Sequence, residues 1–448
     1  MTKSYVSLTS REAASADNAV VPAPTTNSTA RVLIASLAGT TIEFFDFYIY
    51  ATAAVLVFPT LFFPGSDKTT AALQSLATFA LAFLARPIGS AVFGHFGDRI
   101  GRKATLVAAL LTMGVSTVGI GLLPTYALIG VWAPALLALL RFGQGFGLGG
   151  EWGGAVLLAT ENAPPGKAAI YGMFPQLGAP IGFLCSTGAF LALASALTDR
   201  QLFSWGWRLP FIASALLVFV GLYVRLTLSE TPAFRRAIQN HARVRVPILR
   251  LLARHSTSVL LGTFAATATF VIFYLMTVFT LSWGTQQLGF TRPHFLVLQM
   301  IGVLCFGAFI PLSAYLAQRR GAIPVVIAAS AGIAVFGLTT ASLFGSGSTA
   351  ATLTYLCLGL ALMGLTYGPL GTALAQLFPT EVRYTGASLT FNLAGVVGAS
   401  LAPYVATWLA STRGLAWVGY YLCAAGALSL VAALAIHWRA QAPPPMSL

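Results

Sequence analysis

Apolar residues along this chain come in stretches of twenty to thirty, separated by short polar connections. A bilayer core of about 30 Å needs roughly 20 apolar residues per helix. On that measure the pattern predicts twelve spans. The first six cover residues 32–62, 71–96, 104–123, 131–160, 168–196 and 209–228. The second six cover 258–287, 294–318, 323–344, 350–377, 385–410 and 415–438. The expected fold class is therefore an all-α membrane protein with twelve transmembrane helices.

Composition agrees. Of the 448 residues, 57% are hydrophobic and 8% charged, whereas a soluble domain carries about 25% charged residues. Such a chain cannot cover a water-facing surface. The four cysteines, Cys185, Cys305, Cys357 and Cys423, lie in apolar runs without paired spacing, and the five histidines are scattered. They suit packing or loop positions, so no metal and no cofactor is expected.

The net charge of +14 invites a nucleic-acid reading, but the placement of the charges argues against one. Thirteen Lys and Arg residues fall on one set of connections: Arg99, Arg102, Lys103, Lys167, Arg235, Arg236, Arg243, Arg245, Arg250, Arg254, Arg319, Arg320 and Arg383. Only Lys68, Arg200, Arg208, Arg292 and Arg413 fall on the opposite set. The positive-inside rule puts the first set, and both tails, in the cytoplasm. The surplus is topogenic, and the expected partner is the lipid bilayer rather than nucleic acid. Residues 1–30 are polar, lack the apolar core of a cleavable signal, and read as a disordered cytoplasmic tail. Residues 229–257 form a basic cytoplasmic linker, either a helix lying on anionic lipid or a solvated connection. Residues 439–448 form a second tail. The linker divides the spans into an N-terminal bundle over 31–228 and a C-terminal bundle over 258–438.

The two halves echo one another. GHFGDRIGRK at 94–103 follows the second span and AYLAQRRGAI at 314–323 follows the eighth, so that Arg99 matches Arg319 and Gly101 matches Gly321. Thr160-Glu161 matches Thr380-Glu381 at the same offset. Two related six-helix bundles with a ligand site between them near midplane is an architecture of secondary transporters.

The motif G-x-x-x-D-R-x-G-R-K at 94–103 resembles the loop signature of the major facilitator superfamily. EFFDFYIY (43–50), RPIGSAVFGHFGDRIGRK (86–103), RFGQGFGLGGEWGGAVLL (141–158), PQLGAPIG (175–182), SWGWRLPF (204–211) and LSETPAF (228–234) are similar to segments of its metabolite:proton symporter family. YGMFPQLGAPIGFLCSTGAF looks most like the shikimate-type branch. The resemblance implies two pseudo-symmetric six-helix bundles in the inner membrane. It also implies proton-driven uptake of small organic acids or zwitterionic osmolytes by a non-enzymatic carrier, expected here as a monomer. It further implies a cytoplasmic gate at Gly94, Asp98, Arg99, Gly101, Arg102 and Lys103. Topogenic charge alone is the alternative, but the D-R-x-G-R-K pattern at this place favours the gate.

Eight of the eleven acids lie in tails or loops, which leaves Glu43, Asp46 and Glu151 inside spans. Among the bases, only Arg86 and Arg141 are equally deep. An ionised side chain at the bilayer centre costs a few kcal/mol unless it meets a partner or a wet cavity. At about 1.5 Å per residue, Glu43, Arg86 and Glu151 fall at middle depth, with Asp46 and Arg141 further out. Glu43, Asp46 and Tyr50 follow i, i+3, i+7 and share one helix face, expected to line the cavity. Ile42, Phe45 and Ile49 form the other face. Three acids against two bases leave one carboxylate over, and a desolvated carboxylate without a cation tends to take a proton. Asp46 is expected as the proton site with Arg141 as its switching partner, Glu43 and Glu151 being the competing acids. The alternative is a structural ion-pair network.

Arg86, Arg141, Tyr50, Gln144, Trp152 and Gln176 are the expected substrate contacts of the N-terminal half. Tyr274, Thr277, Trp283, Gln299, Tyr367 and Asn392 are those of the C-terminal half, with helix–helix hydrogen bonding as their alternative role. The expected cargo is a small monocarboxylate, moving with a proton. A betaine-like or proline-like zwitterion is the rival. A membrane-embedded enzyme lacks support, since no H-x-x-x-H, G-x-S-x-G or Cys/His pairing lies in the spans. A channel would not explain duplicated halves.

Overall fold

A computed structural model describes residues 29–65, 67–100, 102–227, 247–379 and 382–441. The described residues are helical almost throughout. The N-terminal half contains α1 (Thr29–Leu56), α2 (Lys68–Ile100), α3 (Arg102–Leu122), α4 (Trp132–Leu148, resuming as Trp152–Glu161), α5 (Ala168–Ala196) and α6 (Leu209–Thr227). The C-terminal half contains α7 (Pro247–Tyr274, resuming as Thr280–Gln286), α8 (Arg292–Arg320), α9 (Ala322–Phe336), α10 (Thr349–Gln376), α11 (Arg383–Gly395, resuming as Ala402–Arg413) and α12 (Leu415–Gln441).

Nine helices among the described residues are long and apolar enough to cross a membrane by length and composition alone. The other three are α1, α3 and α4. The first carries two acids in the span, the described apolar stretch of the second is Val107–Leu122, and the third is broken at residues 149–151.

Helix pairing shows that the repeat is structural. In the N-terminal half α1 packs on α5, α2 on α4 and α3 on α6. In the C-terminal half α7 packs on α11, α8 on α10 and α9 on α12, the same pairs advanced by six. The halves meet through α5 against α8 and α2 against α11, again a pair and its counterpart. Glycines permit the tightest crossings, as small residues do in membranes. A methyl group at Gly145 or Gly149 of α4 would overlap the α2 backbone at Ala82 or Arg86. In the matching α8–α10 pair, Gly364 faces the Phe306 carbonyl and Gly368 that of Ile310.

Several boundaries differ from the sequence expectation. The first span ends at Leu56, and Phe58–Phe62 form a separate turn begun by Pro59. The fourth is not one continuous helix, because its glycine-rich centre breaks and places Glu151 at the start of the second piece. The seventh begins inside the expected linker, at Pro247, and kinks at His255. The remainder of the linker, residues 228–246, lies outside the described residues, as do the N-terminal tail, Thr380, Glu381 and residues 442–448. The helices α7 and α11 each contain a π-turn, at Leu275–Phe279 and Val396–Ser400. Such turns widen a helix by one residue and concentrate at functional sites.

Candidate functional site between and within the bundles

All five membrane ions expected from the sequence are buried: Glu43, Asp46, Arg86, Arg141 and Glu151 expose 5% or less of their surface. Their surroundings depart from the expected arrangement. The hydroxyls of Thr117 on α3 and Ser214 on α6 lie beside the Asp46 carboxylate. Its oxygens, like the Ser214 hydroxyl, have no hydrogen-bond partner at ordinary geometry among the described residues. Asp46 therefore points into the interior of the N-terminal bundle, not into the cleft between halves. The i, i+3, i+7 spacing fixes which residues share a face, but not what that face meets. The cleft side of α1 is aromatic instead. Phe47 meets Tyr274 with ring centroids 6.4 Å apart, and Tyr48 meets Phe273 at 5.4 Å, both on α7.

Arg141 is not paired with Asp46. Its Nη1 donates to Oε1 of Gln144, one helical turn on. Gln144 Nε2 donates to the Asp46 backbone carbonyl and to Thr117 Oγ1, both at 2.9 Å. Gln144 thus holds the space through which Arg141 and Asp46 are connected. The guanidinium carbon of Arg141 sits over three rings, at 3.9 Å from the centroid of Tyr50, 4.3 Å from Phe47 and 4.9 Å from Phe79. Tyr50 is fixed by a 2.7 Å hydrogen bond between its hydroxyl and Thr78 Oγ1. Arg86 uses the same central ring: its guanidinium carbon is 4.5 Å from Phe47 and 4.6 Å from Phe83. Such contacts hold a cation by about 0.5–2 kcal/mol each, the upper figure applying in a dry site. They leave donors unused. Nε and Nη2 of both arginines have no hydrogen-bond partner among the described residues.

A second cluster closes the halves toward the side that positive-inside assigns to the cytoplasm. The Trp152 ring lies flat on Phe391 of α11, centroids 3.6 Å apart and planes at 7°. Trp152 Nε1 donates to Gln176 Oε1 at 3.0 Å, and Gln176 Nε2 donates to the Tyr367 backbone carbonyl at 2.8 Å. The broken centre of α4 supplies two more bridges. Asn392 Nδ2 donates to the Gly149 carbonyl at 3.3 Å, and the Tyr384 hydroxyl to that of Gly150 at 2.9 Å.

The remaining C-terminal candidates divide. Tyr274 packs against Phe79 and Phe83, 5.5 and 5.4 Å between centroids, and the buried Tyr367 hydroxyl has no hydrogen-bond partner among the described residues. These two face the arginines. Thr277 spends its hydroxyl on the Phe273 carbonyl. Gln299 ties α8 to the π-turn through the carbonyls of Met276 and Thr277. Trp283 is half-buried and stacks on Phe279. Gln299 thus joins two helices, whereas Thr277 and Trp283 make these contacts within their own. The side chains of Asp98, Arg99, Arg102 and Lys103, and Gly94 and Gly101 with them, lie outside the described residues, so the gate expectation is not addressed. Phe47, Phe79, Phe83, Thr117 and Ser214 were not expected. Only their position in apolar spans beside ions could have marked them.

Comparison with known proteins fits this geometry. A family model described as "Sugar (and other) transporter" matches residues 31–251, the first half and the start of α7. The inner membrane metabolite transport protein YhjE of Escherichia coli is 57% identical over 92% of this chain and 94% of its own. The shikimate transporter of Escherichia coli is 35% identical over 90% and 93% respectively. The chain belongs to the major facilitator superfamily. The proline/betaine transporter of Salmonella typhimurium is a further relative, 30% identical over 92% of this chain and 84% of that protein. Among solved structures, the partially occluded inward-open xylose transporter XylE of E. coli superposes with TM-score 0.70 at 16% identity, covering 94% of this chain and 99% of that one. As a member of this superfamily the protein is a membrane transporter and not an enzyme.

Proposed function

We propose that this carrier imports a small organic acid together with a proton, by alternating access. It does so as a monomer in the inner membrane with both termini in the cytoplasm. The inner membrane assignment of the YhjE relative and the cargo of the shikimate relative support the location and the cargo class, and the distribution of Lys and Arg supports the orientation. The observation that carries the coupling is the Asp46 carboxylate. It is fully buried with only the Thr117 and Ser214 hydroxyls beside it, one glutamine away from a buried arginine with two unused donors.

In this reading Asp46 holds a proton while Arg141 rests on Gln144 and the three rings. Loss of the proton creates a carboxylate that draws Arg141 off Gln144. Because Arg141 shares Phe47 with Arg86, that move alters the surface presented to the cleft. The cargo carboxylate binds the free donors of Arg86, with the Tyr274 and Tyr367 hydroxyls on the facing bundle. Trp152, Gln176 and Asn392 part when the cytoplasmic side opens. Glu43 and Glu151 remain the competing proton sites.

Uptake of labelled shikimate and related monocarboxylates into proteoliposomes tests the reading. A pH gradient, acid outside, drives accumulation by the native protein, and Asp46→Asn carries cargo only to equilibrium. Full gradient-driven accumulation by Asp46→Asn would remove Asp46 from the mechanism. A zwitterion such as betaine is the second reading, supported by the proline/betaine relative. Quaternary ammonium groups favour aromatic cages, but here Tyr50, Phe47 and Phe79 are already faced by a guanidinium.

A further inference from the structure

The two halves also meet at the opposite end, around a cavity of about 700 Å³. Its walls come from the ends of α1 and α5 and the start of α2 on one side, and from the end of α7 and the start of α8 on the other. That volume falls within the range usual for small-molecule sites, about 300–1,000 Å³. Positive-inside places this end outside the cell. Three charged residues line the cavity: Lys68 and Asp199 from the N-terminal half and Arg292 from the C-terminal half.

Arg292 Nη1 reaches Asp199 Oδ1 across the halves at 2.9 Å. The Asp199 side chain is 79% exposed and that of Arg292 33%, so water competes for this pair and its net strength is small. Arg292 is nevertheless well placed, with its guanidinium carbon 5.1 Å from the Phe203 ring. Asp199 sits in the first turn of a short helix (Asp199–Ser204) whose start is fixed by a reciprocal cap between Thr198 and Gln201. Asp67, next to Lys68, does not line the cavity. The Thr70 side chain and the backbone N–H groups of Thr70 and Thr69 engage its carboxylate and hold it below the usual carboxylate range.

We infer that this outer vestibule is a second binding site, at which Lys68 and Arg292 receive an organic carboxylate and Asp199 is the tethered carboxylate it displaces. A carboxylate already occupies Arg292 in the structure, which shows that the position accepts that chemistry. The occupant is attached to the other half, so displacing it unfastens one bundle from the other on the outer side. The inference takes its cargo class from the reading above. Its test does not depend on transport.

A single cysteine at Thr60→Cys, on the cavity wall, is placed in a protein whose four native cysteines are replaced by alanine. Its labelling by 2-sulfonatoethyl methanethiosulfonate in membrane vesicles is followed with lactate present, and with chloride at equal ionic strength. Lactate slows labelling saturably, while chloride does so weakly. Asp199→Asn strengthens the lactate protection about threefold, as expected for removal of a competing exposed ion pair. Arg292→Gln abolishes the protection and Arg292→Lys restores part of it, which separates loss of charge from loss of fold. Protection by lactate no better than by chloride, or protection that persists in Arg292→Gln, overturns the inference. If protection behaves as expected but no organic acid is accumulated in the proteoliposomes, the transport reading fails and the vestibule site stands.

Discussion

The two bundles share a plan of helix pairs but not a chemistry. Among the described residues, every buried ion lies in the N-terminal half. The C-terminal half buries hydroxyls instead, and many of them are spent on their own helix. Thr267 donates to the Thr263 carbonyl, Thr277 to that of Phe273 and Thr280 to that of Met276. The counterparts α1 and α7 show the difference most clearly. The first carries Glu43 and Asp46 in an unbroken helix, whereas the second carries no acid and has a π-turn. A duplicated scaffold therefore does not require a duplicated function. One copy can hold groups that change charge while the other offers a neutral wall that changes shape. The family model, which ends at residue 251, covers the charged copy and only the start of α7.

Substitutions can break this contrast. The largest effect belongs to Asp46→Asn, which removes gradient-driven accumulation in proteoliposomes while leaving exchange intact. Exchanging hydroxyls in the other half has no comparable consequence. Arg141→Lys comes next, because an ammonium cannot spread across Tyr50, Phe47 and Phe79 while reaching Gln144. The loss of about 2 kcal/mol of cation–π contact lowers transport roughly thirtyfold, seen in initial rates. Gly145→Ala pushes a methyl group into the backbone at Ala82 and costs about 1–3 kcal/mol of stability. Gly364→Ala does the same to the matching pair in the C-terminal half, so thermal unfolding in detergent lowers both by similar amounts. That result would show that the halves are equal as scaffolds. Trp152→Ala removes an aromatic stack worth about 1 kcal/mol and shifts the carrier about fivefold toward cytoplasmic opening, measured by labelling a cysteine at Ser388. Thr277→Val should leave uptake within about twofold, since its hydroxyl serves only the helix that bears it.

The sequence revealed more of the scaffold than of the site. Twelve spans and a repeat follow from apolar length and from matching loops, both properties of the letters. The five ions were also legible, since charge is conspicuous in hydrocarbon. Partnership was not. Asp46 and Arg141 come from helices whose rotation is set by packing in three dimensions, and Gln144 between them looks like any polar residue in a span. Phe47 was hidden for the opposite reason: an aromatic in an apolar run carries no mark. The break in α4 was missed because GLGGEWGG is apolar enough to pass for continuous helix, and only contact with Arg86, Phe93 and Ser388 shows why these glycines are there.

One ring from α1 keeps company with two cations at once. Phe47 lies within 4.5 Å of both guanidinium carbons, measured to its centroid. In the proposed cycle, a turn of α1 that withdraws this ring bares Arg141, assigned to the proton site, and Arg86, assigned to the cargo, in the same movement. On that proposal the two halves of the transport cycle lose their independence, and a slip in which one solute crosses without the other has no separate door to use.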